Sequence, residues 1–199
     1  MSEPQAIRRR RGRGGRERIL AAATALFETH GINPTGMEQV AAAAPVSKRT
    51  LYTHFPTKDA LVVEYLRYLG ESGRTLENVL DREDLPPRQR ILALFTVPET
   101  DGPIRGCPFV DAAAEFPDPH SPVHDYAAEQ KRRLSARLTE LVSALGVAEP
   151  RTLGEQLAVL VDGAASRAMV LNDASCGDPA RTAAEALLDA ALSASRDQG

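Results

Sequence analysis

The chain has 199 residues, of which 43% are hydrophobic and 26% are charged, a composition that excludes general disorder and is typical of a folded soluble protein. Two cysteines, Cys107 and Cys176, lie far apart, which excludes a disulfide framework or a zinc finger and favours a reducing, cytoplasmic location. No apolar run approaches the roughly 18 residues of a membrane span, and the basic start lacks the apolar segment of a secretion signal. Aromatic residues make up only 5%, so helix is the expected element.

The net charge of −3 is unevenly distributed along the chain. Residues 1–60 contain ten lysines and arginines against five acidic residues, whereas the remaining residues contain fourteen against twenty-two. A basic segment ahead of a longer acidic one indicates that the N-terminal part binds a polyanion.

Residues 1–15 are rich in arginine and glycine, with the run RRRRGRGGR between Arg8 and Arg16. Such a run is too charged to pack, so we expect an arm that is disordered when unbound. Two roles fit it equally well, an extension that binds phosphates or the minor groove, and a tail that only aids solubility.

Two helices are predicted after the arm. The first starts near Arg16, because apolar residues then recur at intervals of three and four, and it should stop at Gly31. The second opens at Thr35, whose spacing from Glu38 fits a capping box, and it should end near Ala43.

A sharp turn then leads into a third predicted helix. Pro45 disfavours helical geometry at the residue before it, and Ser47 can cap a helix over residues 48–55, which Pro56 closes. Three short helices with a sharp turn before the third, behind a basic arm, are typical of a helix-turn-helix unit that places a recognition helix in the major groove of DNA.

The rest of the chain is also predicted to be helical, which makes the fold class all-α with about nine helices and no strand. Thr152 and Glu155 form another possible capping box. The expected helices run from about 58 into the seventies, 88–97, 107–116, 122 to near 146, 152–171 and 179–192.

The stretch from Ile19 to Val62, ILAAATALFETHGINPTGMEQVAAAAPVSKRTLYTHFPTKDALV, resembles the N-terminal domain of the TetR family of bacterial transcriptional repressors. The resemblance covers about a quarter of the chain. It implies a basic arm over residues 1–15, a helix-turn-helix DNA-binding domain over 16–59, and a helical ligand-binding and dimerisation domain over 60–199. The motif residues that carry it are Leu26, Phe27, Gly31, Thr35, Val40, Ala41, Ala44, Val46, Ser47, Leu51, Tyr52, His54, Phe55, Lys58 and Leu61.

The candidate base-reading residues lie on the first exposed turn of the third helix. Lys48 and Arg49 stand there, and an arginine fork matches the two acceptors of guanine in the major groove. Thr50 and Thr53 suit a thymine methyl group or a phosphate, and Ser47 is best interpreted as the helix cap.

Other residues are expected to hold the DNA backbone. The backbone N–H groups at Thr35 and Gly36 open a helix N-terminus, which attracts anions. The resemblance implies phosphate contacts for Tyr52, His54 and Lys58.

Three residues depart from the family pattern. The family has glycine where this chain has Pro45, and because proline disfavours positive φ we expect the turn to be built differently. Gly36 replaces the usual serine or threonine, and Arg49 replaces a small residue, which should alter sequence preference rather than fold.

A second group of candidates lies between Gly106 and His124, where apolar bulk is mixed with a few polar groups as in a ligand pocket. Core packing explains the same residues equally well. Metal binding by the two histidines is disfavoured by the flanking prolines and the lack of another Cys/His pair, so neither a metal nor a cofactor is expected. The candidates are Cys107, Phe109, Val110, Phe116, His120 and His124.

The last two helices carry apolar stripes, and small residues in the first of them would allow a neighbouring helix to approach closely. These stripes suit either a dimer interface or ordinary core. The candidate interface residues are Leu160, Ala164, Ala168, Leu187, Leu188 and Ala191.

Together these features predict a transcriptional repressor, not an enzyme, that binds a palindromic double-stranded DNA operator as a homodimer and is released by a small, lipophilic effector. One alternative is a nonspecific DNA-binding protein driven by the arginine-rich arm. Another is a helical hydrolase that uses Cys107 with a histidine, although no nucleophile motif surrounds that cysteine.

Overall fold

The computed structural model describes residues 5–98 and 102–197, and each regular element in those ranges is helical, which confirms the all-helical prediction. Two short 3₁₀ helices, Leu76–Asp81 and Ala174–Cys176, accompany the α-helices. Within the described ranges no helix has the length and apolar character needed to cross a lipid bilayer. The α-helices are α1 (Gln5–His30), α2 (Met37–Ala43), α3 (Lys48–His54), α4 (Lys58–Glu71), α5 (Pro87–Ala93), α6 (Pro108–Glu115), α7 (Pro122–Ala144), α8 (Pro150–Leu171) and α9 (Gly177–Asp197).

The first helix is longer than predicted. The helix begins at Gln5 instead of near Arg16, so it includes residues 5–15 of the expected arm, while residues 1–4 lie outside the described part. Arginine is a good helix former, and adding turns to an existing helix is easier than nucleating one. The helix stops where expected, because Gly31 adopts a φ of +90°, which glycine reaches without a Cβ clash.

The capping box predicted for Thr35 and Glu38 does not form. The Thr35 hydroxyl donates instead to the Gly31 carbonyl at 2.8 Å, and Thr35 is buried. The backbone N–H of Gly36 donates to the Gln39 side chain at 2.7 Å, so α2 is capped one residue later than predicted.

The other predicted caps had opposite outcomes. The Ser47 cap is confirmed, since its hydroxyl accepts a hydrogen bond from the Thr50 backbone N–H at 3.1 Å. The Thr152–Glu155 box is wrong because α8 begins two residues earlier, at Pro150, and the Glu155 carboxylate accepts from the Ser135 hydroxyl.

The described chain forms two compact units. The first runs to Leu69 and includes Ala112–Tyr126, and the second comprises Gly70–Asp111 and the chain from Ala127 onward. The boundary expected between residues 59 and 60 is therefore later, because most of α4 packs within the first unit. There Phe27 of α1 meets Tyr65 of α4 edge to face, with ring centroids 5.2 Å apart.

The core of the second unit is built from the apolar faces of α5, α7, α8 and α9, with α7 and α8 in close contact. A Cβ at Gly154 of α8 would lie 2.4 Å from the Thr139 hydroxyl of α7, so only glycine fits at this crossing. The largest fully buried side chains of this core are Phe95, Ile91, Leu94, Leu134, Leu138, Leu157 and Leu188.

Candidate nucleic-acid interface

Helix α3 separates a core face from a solvent face. Leu51 and Phe55 are 0% and 3% exposed, as predicted for core residues, whereas Tyr52 between them is 47% exposed. Arg49 and Thr53 are also exposed, so they and Tyr52 form a polar surface on a helix that the core holds from behind. Such a surface, backed by a buried face, is what a helix that enters the major groove requires.

The first turn of α3 is braced by side-chain contacts. The Lys48 ammonium pairs with Glu38 of α2, and this hydrogen bond raises the pKa of the lysine. The Ser47 hydroxyl lies 2.8 Å from the Thr50 hydroxyl, which adds to the cap. Of the two candidate base readers, Lys48 therefore also links α2 to α3, whereas Arg49 presents an exposed guanidinium.

The end of α3 lies against α1. His54 is half-buried, and a Cβ at Gly15 would lie 3.3 Å from its Nε2 atom, so α1 passes close to the imidazole. Nearby, the Arg16 guanidinium pairs with Glu64 of α4 at 2.6 Å and stacks 5.4 Å from the Phe55 ring centre. Arg16, which the sequence analysis placed at the end of the arginine run and the start of the first helix, here ties α1 to α4 and to Phe55 just after α3.

The two backbone N–H groups predicted to attract an anion at the start of α2 have partners within the chain. The Thr35 backbone N–H donates to the Ile32 carbonyl and the Gly36 N–H donates to Gln39, so both groups are already bonded. Thr35 is also only 2% exposed. Contact of these two N–H groups with DNA would require the internal hydrogen bonds to open, and it stays a prediction.

Lys58, at the start of α4, lies beside this loop. Its ammonium donates to the Asn33 carbonyl at 3.0 Å. Partial burial lowers the pKa of Lys58, while the carboxylates of Glu115 and Asp59 act in the opposite direction. The lysine is thus held at one place on the surface of the first unit.

Glu115, at the end of α6, fixes the same loop. One carboxylate oxygen accepts from the Ile32 N–H at 3.1 Å and the other from the Asn33 N–H at 2.5 Å. The Asn33 side-chain amide donates in turn to the Glu115 backbone carbonyl at 2.9 Å. Sequence reasoning missed these contacts because 82 residues separate the partners and no local pattern marks them.

The turn between α2 and α3 keeps the geometry of a glycine turn although it contains proline. Pro45 has a φ of +25°, so the expectation that the turn would avoid positive φ is wrong. The Val46 N–H donates to the Ala41 carbonyl at 3.2 Å, which is the outer bond of a Schellman motif. The inner bond to Ala42 needs an N–H at position 45, which proline lacks.

The six candidate ligand residues fall into both units. Cys107, Phe109 and Val110 belong to the second unit. The other three candidates belong to the first unit, within Ala112–Tyr126; they are Phe116, His120 and His124. Phe109 is 1% exposed, which agrees with either core packing or a closed pocket. The sequence segment therefore does not form a single cluster inside one unit.

The histidines of this segment have local partners. The His124 Nδ1 atom lies 2.8 Å from the Phe116 carbonyl, while His120 is exposed and its backbone N–H donates to the Asp118 carboxylate. In the described ranges no group of three or more His, Cys, Asp or Glu side chains is placed to hold a metal ion.

A charged cluster surrounds Cys107 in the second unit. Lys131 of α7 donates to Asp162 of α8 at 2.7 Å and to Glu77 at 3.4 Å. Burial opposes the charge on Lys131, but Cys107, Asp162 and Glu77 together raise its pKa. Burial also raises the pKa of the Cys107 thiol, which makes it a weak nucleophile at neutral pH and gives no support to the hydrolase alternative.

The candidate dimer residues divide by exposure. Ala164, Ala168 and Leu188 are buried inside the second unit, so they cannot meet a second chain in this conformation and their assignment to an interface is wrong. Leu160, Leu187 and Ala191 are partly exposed. The outward surface of α8 and α9 also carries apolar residues that sequence reasoning did not select, namely Val159, Val170, Ala186 and Ala190.

Comparison with known proteins identifies the helix-turn-helix region. Residues 19–65 match the family model of bacterial regulatory proteins, tetR family. The chain is 29% identical to the Escherichia coli HTH-type transcriptional regulator YjdC over 87% of this chain and 93% of that protein. It is 31% identical to a TetR transcriptional regulator from Streptomyces avermitilis, with a TM-score of 0.75 over 89% and 97% of the two chains. A TetR-family regulator from Streptomyces coelicolor is 28% identical, with a TM-score of 0.78 over 90% and 96%.

Proposed function

The chain belongs to the TetR family of bacterial transcriptional regulators, and from that premise we propose that it is a ligand-responsive repressor that binds a palindromic operator as a homodimer. The observation that carries the proposal is the exposed face of α3, with Arg49, Tyr52 and Thr53 set over a buried Leu51 and Phe55. A capped helix anchored in this way presents side chains to a major groove without rearrangement of the core.

The side chains of this surface divide into those that contact bases and those that contact phosphates. Arg49 is the base reader, because a guanidinium can donate two parallel hydrogen bonds to guanine. Tyr52, His54 and Lys58 hold phosphates, and Ser47 acts mainly as the cap. Lys48, paired with Glu38, adds positive charge beside the reading helix.

Selection of bound fragments from random DNA tests the operator. We expect an inverted repeat whose half-sites are spaced by about one helical turn or a multiple of it. Equal affinity for all fragments would instead favour a nonspecific DNA-binding protein driven by the arginine-rich N-terminal segment.

Variants of Arg49 and Lys58 distinguish base contacts from phosphate contacts. Arg49→Ala should weaken the best site by about 1–3 kcal/mol and relax the preference at one base pair. Arg49→Lys should lose the same preference while keeping the salt dependence, since it keeps the charge but not the fork. Lys58→Ala should weaken all sites alike, and identical losses on selected and random DNA for every variant would contradict this division.

The partner for the outward face of α8 and α9 is a second copy of the chain. This face has an apolar cleft of about 400 Å³ lined by Glu155, Gln156, Val159, Leu160 and Leu187. Val159 and Val170 are 71% and 76% exposed, which is unusual for large apolar side chains in the middle and last turn of a helix. Pairing two copies would cover these side chains with a four-helix arrangement.

Sedimentation velocity tests the pairing. Ala190→Glu places a charge on the proposed interface and should shift the protein toward monomer. Ala136→Glu, at an exposed position of α7, is the matched control and should leave the dimer intact. A dimer that is equally stable in both variants would exclude this face as the interface.

The effector is a small, lipophilic molecule that binds in the second unit near Phe109. Its support is the resemblance together with the buried ring of Phe109, which lies two residues after Cys107 in the chain. A ligand that prefers the conformation with low DNA affinity should weaken operator binding about 5- to 150-fold, and DNA should weaken its binding by the same factor. Phe109→Ala should reduce this response, and a compound that binds tightly without changing operator affinity would not be the effector.

A further inference from the structure

We infer that Glu115 is a positioning residue for DNA binding, because it holds the loop between α1 and α2 in the shape that presents Lys58 to a phosphate. The inference rests on the proposed function, in which Lys58 contacts the DNA backbone. It extends that function to a residue outside the helix-turn-helix segment.

The first step is the bidentate contact between Glu115 and the loop. Two consecutive backbone N–H groups, those of Ile32 and Asn33, donate to the two oxygens of one carboxylate. Ion–amide hydrogen bonds of this kind are stronger than those between neutral groups. Within the loop itself, the Thr35 hydroxyl donates to the Gly31 carbonyl and the Thr35 N–H donates to the Ile32 carbonyl.

The second step leads from the loop to the lysine. Glu115 fixes Asn33 through the backbone N–H and the side-chain amide of the asparagine. The Asn33 carbonyl in turn accepts a hydrogen bond from the Lys58 ammonium at 3.0 Å. An ammonium has three donors, so the two that remain can meet a phosphate while the third keeps the side chain in place. Glu115, Asn33 and Lys58 thus form one chain of hydrogen bonds.

The sign of the effect distinguishes positioning from simple electrostatics. A carboxylate near a phosphate contact repels DNA, so electrostatics alone predicts that neutralising Glu115 tightens DNA binding. Positioning predicts the opposite, because a loop released from its anchor leaves the lysine to be ordered only when DNA binds.

The test measures operator affinity by fluorescence anisotropy at one fixed salt concentration. Glu115→Gln should weaken binding roughly five- to tenfold, the range expected when a charge-assisted hydrogen bond is lost. Glu115→Asp keeps the charge but shortens the side chain, and it should weaken binding as well. Glu17→Gln, which removes an exposed carboxylate of α1, is the control for charge and should leave affinity unchanged or slightly higher.

A double-mutant cycle with Lys58→Met decides the mechanism. In that background Glu115→Gln should cause no further loss, because there is no ammonium left to position. An equal loss in both backgrounds, or tighter binding by Glu115→Gln in the wild-type background, would overturn the inference. If Lys58→Met itself leaves affinity unchanged, the proposed phosphate contact fails instead, which separates the two failures.

Discussion

Replacing Pro45 by glycine should stabilise this protein, although removing a proline from a turn normally has the opposite effect. The proline ring favours a φ near −65°, whereas position 45 has a φ of +25°. Residues held in such a region cost about 1–3 kcal/mol each. Glycine relieves this strain and also supplies the missing N–H for the inner bond of the Schellman motif, which is worth about 0.5–1.5 kcal/mol.

The opposing contribution comes from the unfolded chain. Glycine gives the unfolded state more conformations, which lowers stability by about 0.4–1 kcal/mol. The net expectation is a gain of about 0.5–4 kcal/mol in the free energy of unfolding, because the relieved strain and the new hydrogen bond together exceed the entropy loss.

Thermal and urea unfolding, followed by circular dichroism, measure this gain. Pro56→Gly is the matched control, since Pro56 is also exposed in the first unit but lacks the positive φ, and its replacement should lower stability. For a chain of this size, 1 kcal/mol shifts Tm by about 2–4 °C. If Pro45→Gly loses as much stability as Pro56→Gly, the turn does not hold the proline at positive φ in solution.

Two further predictions concern the second unit. Gly154→Ala places a methyl group 2.4 Å from the Thr139 hydroxyl and should reduce stability in urea by about 1–3 kcal/mol, whereas Gly163→Ala meets open space on the same helix and should not. Lys131→Met removes the cation from two partly buried carboxylates and should cost about 1–3 kcal/mol at neutral pH. Because burial raises the pKa of Glu77, the folded variant binds a proton more readily than the unfolded chain, so its stability should rise as pH falls; a loss that is independent of pH would contradict this account.

Local sequence patterns were sufficient to predict the helix-turn-helix unit. The ends of α1 and α3 are set by Gly31 and Ser47, whose roles depend only on neighbouring residues. The cap at Thr35 failed because its hydroxyl had two possible partners, the N–H groups of α2 and the Gly31 carbonyl, and sequence spacing does not rank them. Long-range contacts such as Glu115 with Asn33 have no local signal at all.

Helical periodicity also predicted which faces of α8 are apolar but not what covers each of them. The stripe of small residues around Ala164 and Ala168 satisfies the same spacing whether a helix of the same chain or of a second chain packs against it. The structure shows that the chain itself covers this stripe, while Val159 and Val170 remain exposed on another face. Contacts within one chain and contacts between two chains require the same apolar spacing in the sequence. Only the folded structure distinguishes the two kinds of contact.

The short reading surface of α3 links dimerisation to specificity. One arginine fork discriminates by about 1–3 kcal/mol, whereas a regulator must distinguish its operator from other DNA by about 4–10 kcal/mol. Helix α3 has seven residues and one arginine, Arg49, so a single copy discriminates by less than the regulator requires. Two copies on an inverted repeat double the free energy of discrimination. Ala190→Glu should therefore reduce the ratio of operator to random-DNA affinity much more than it reduces binding to random DNA. If this ratio is unchanged in a variant shown to be monomeric, one α3 carries the whole specificity and the palindromic operator is not required.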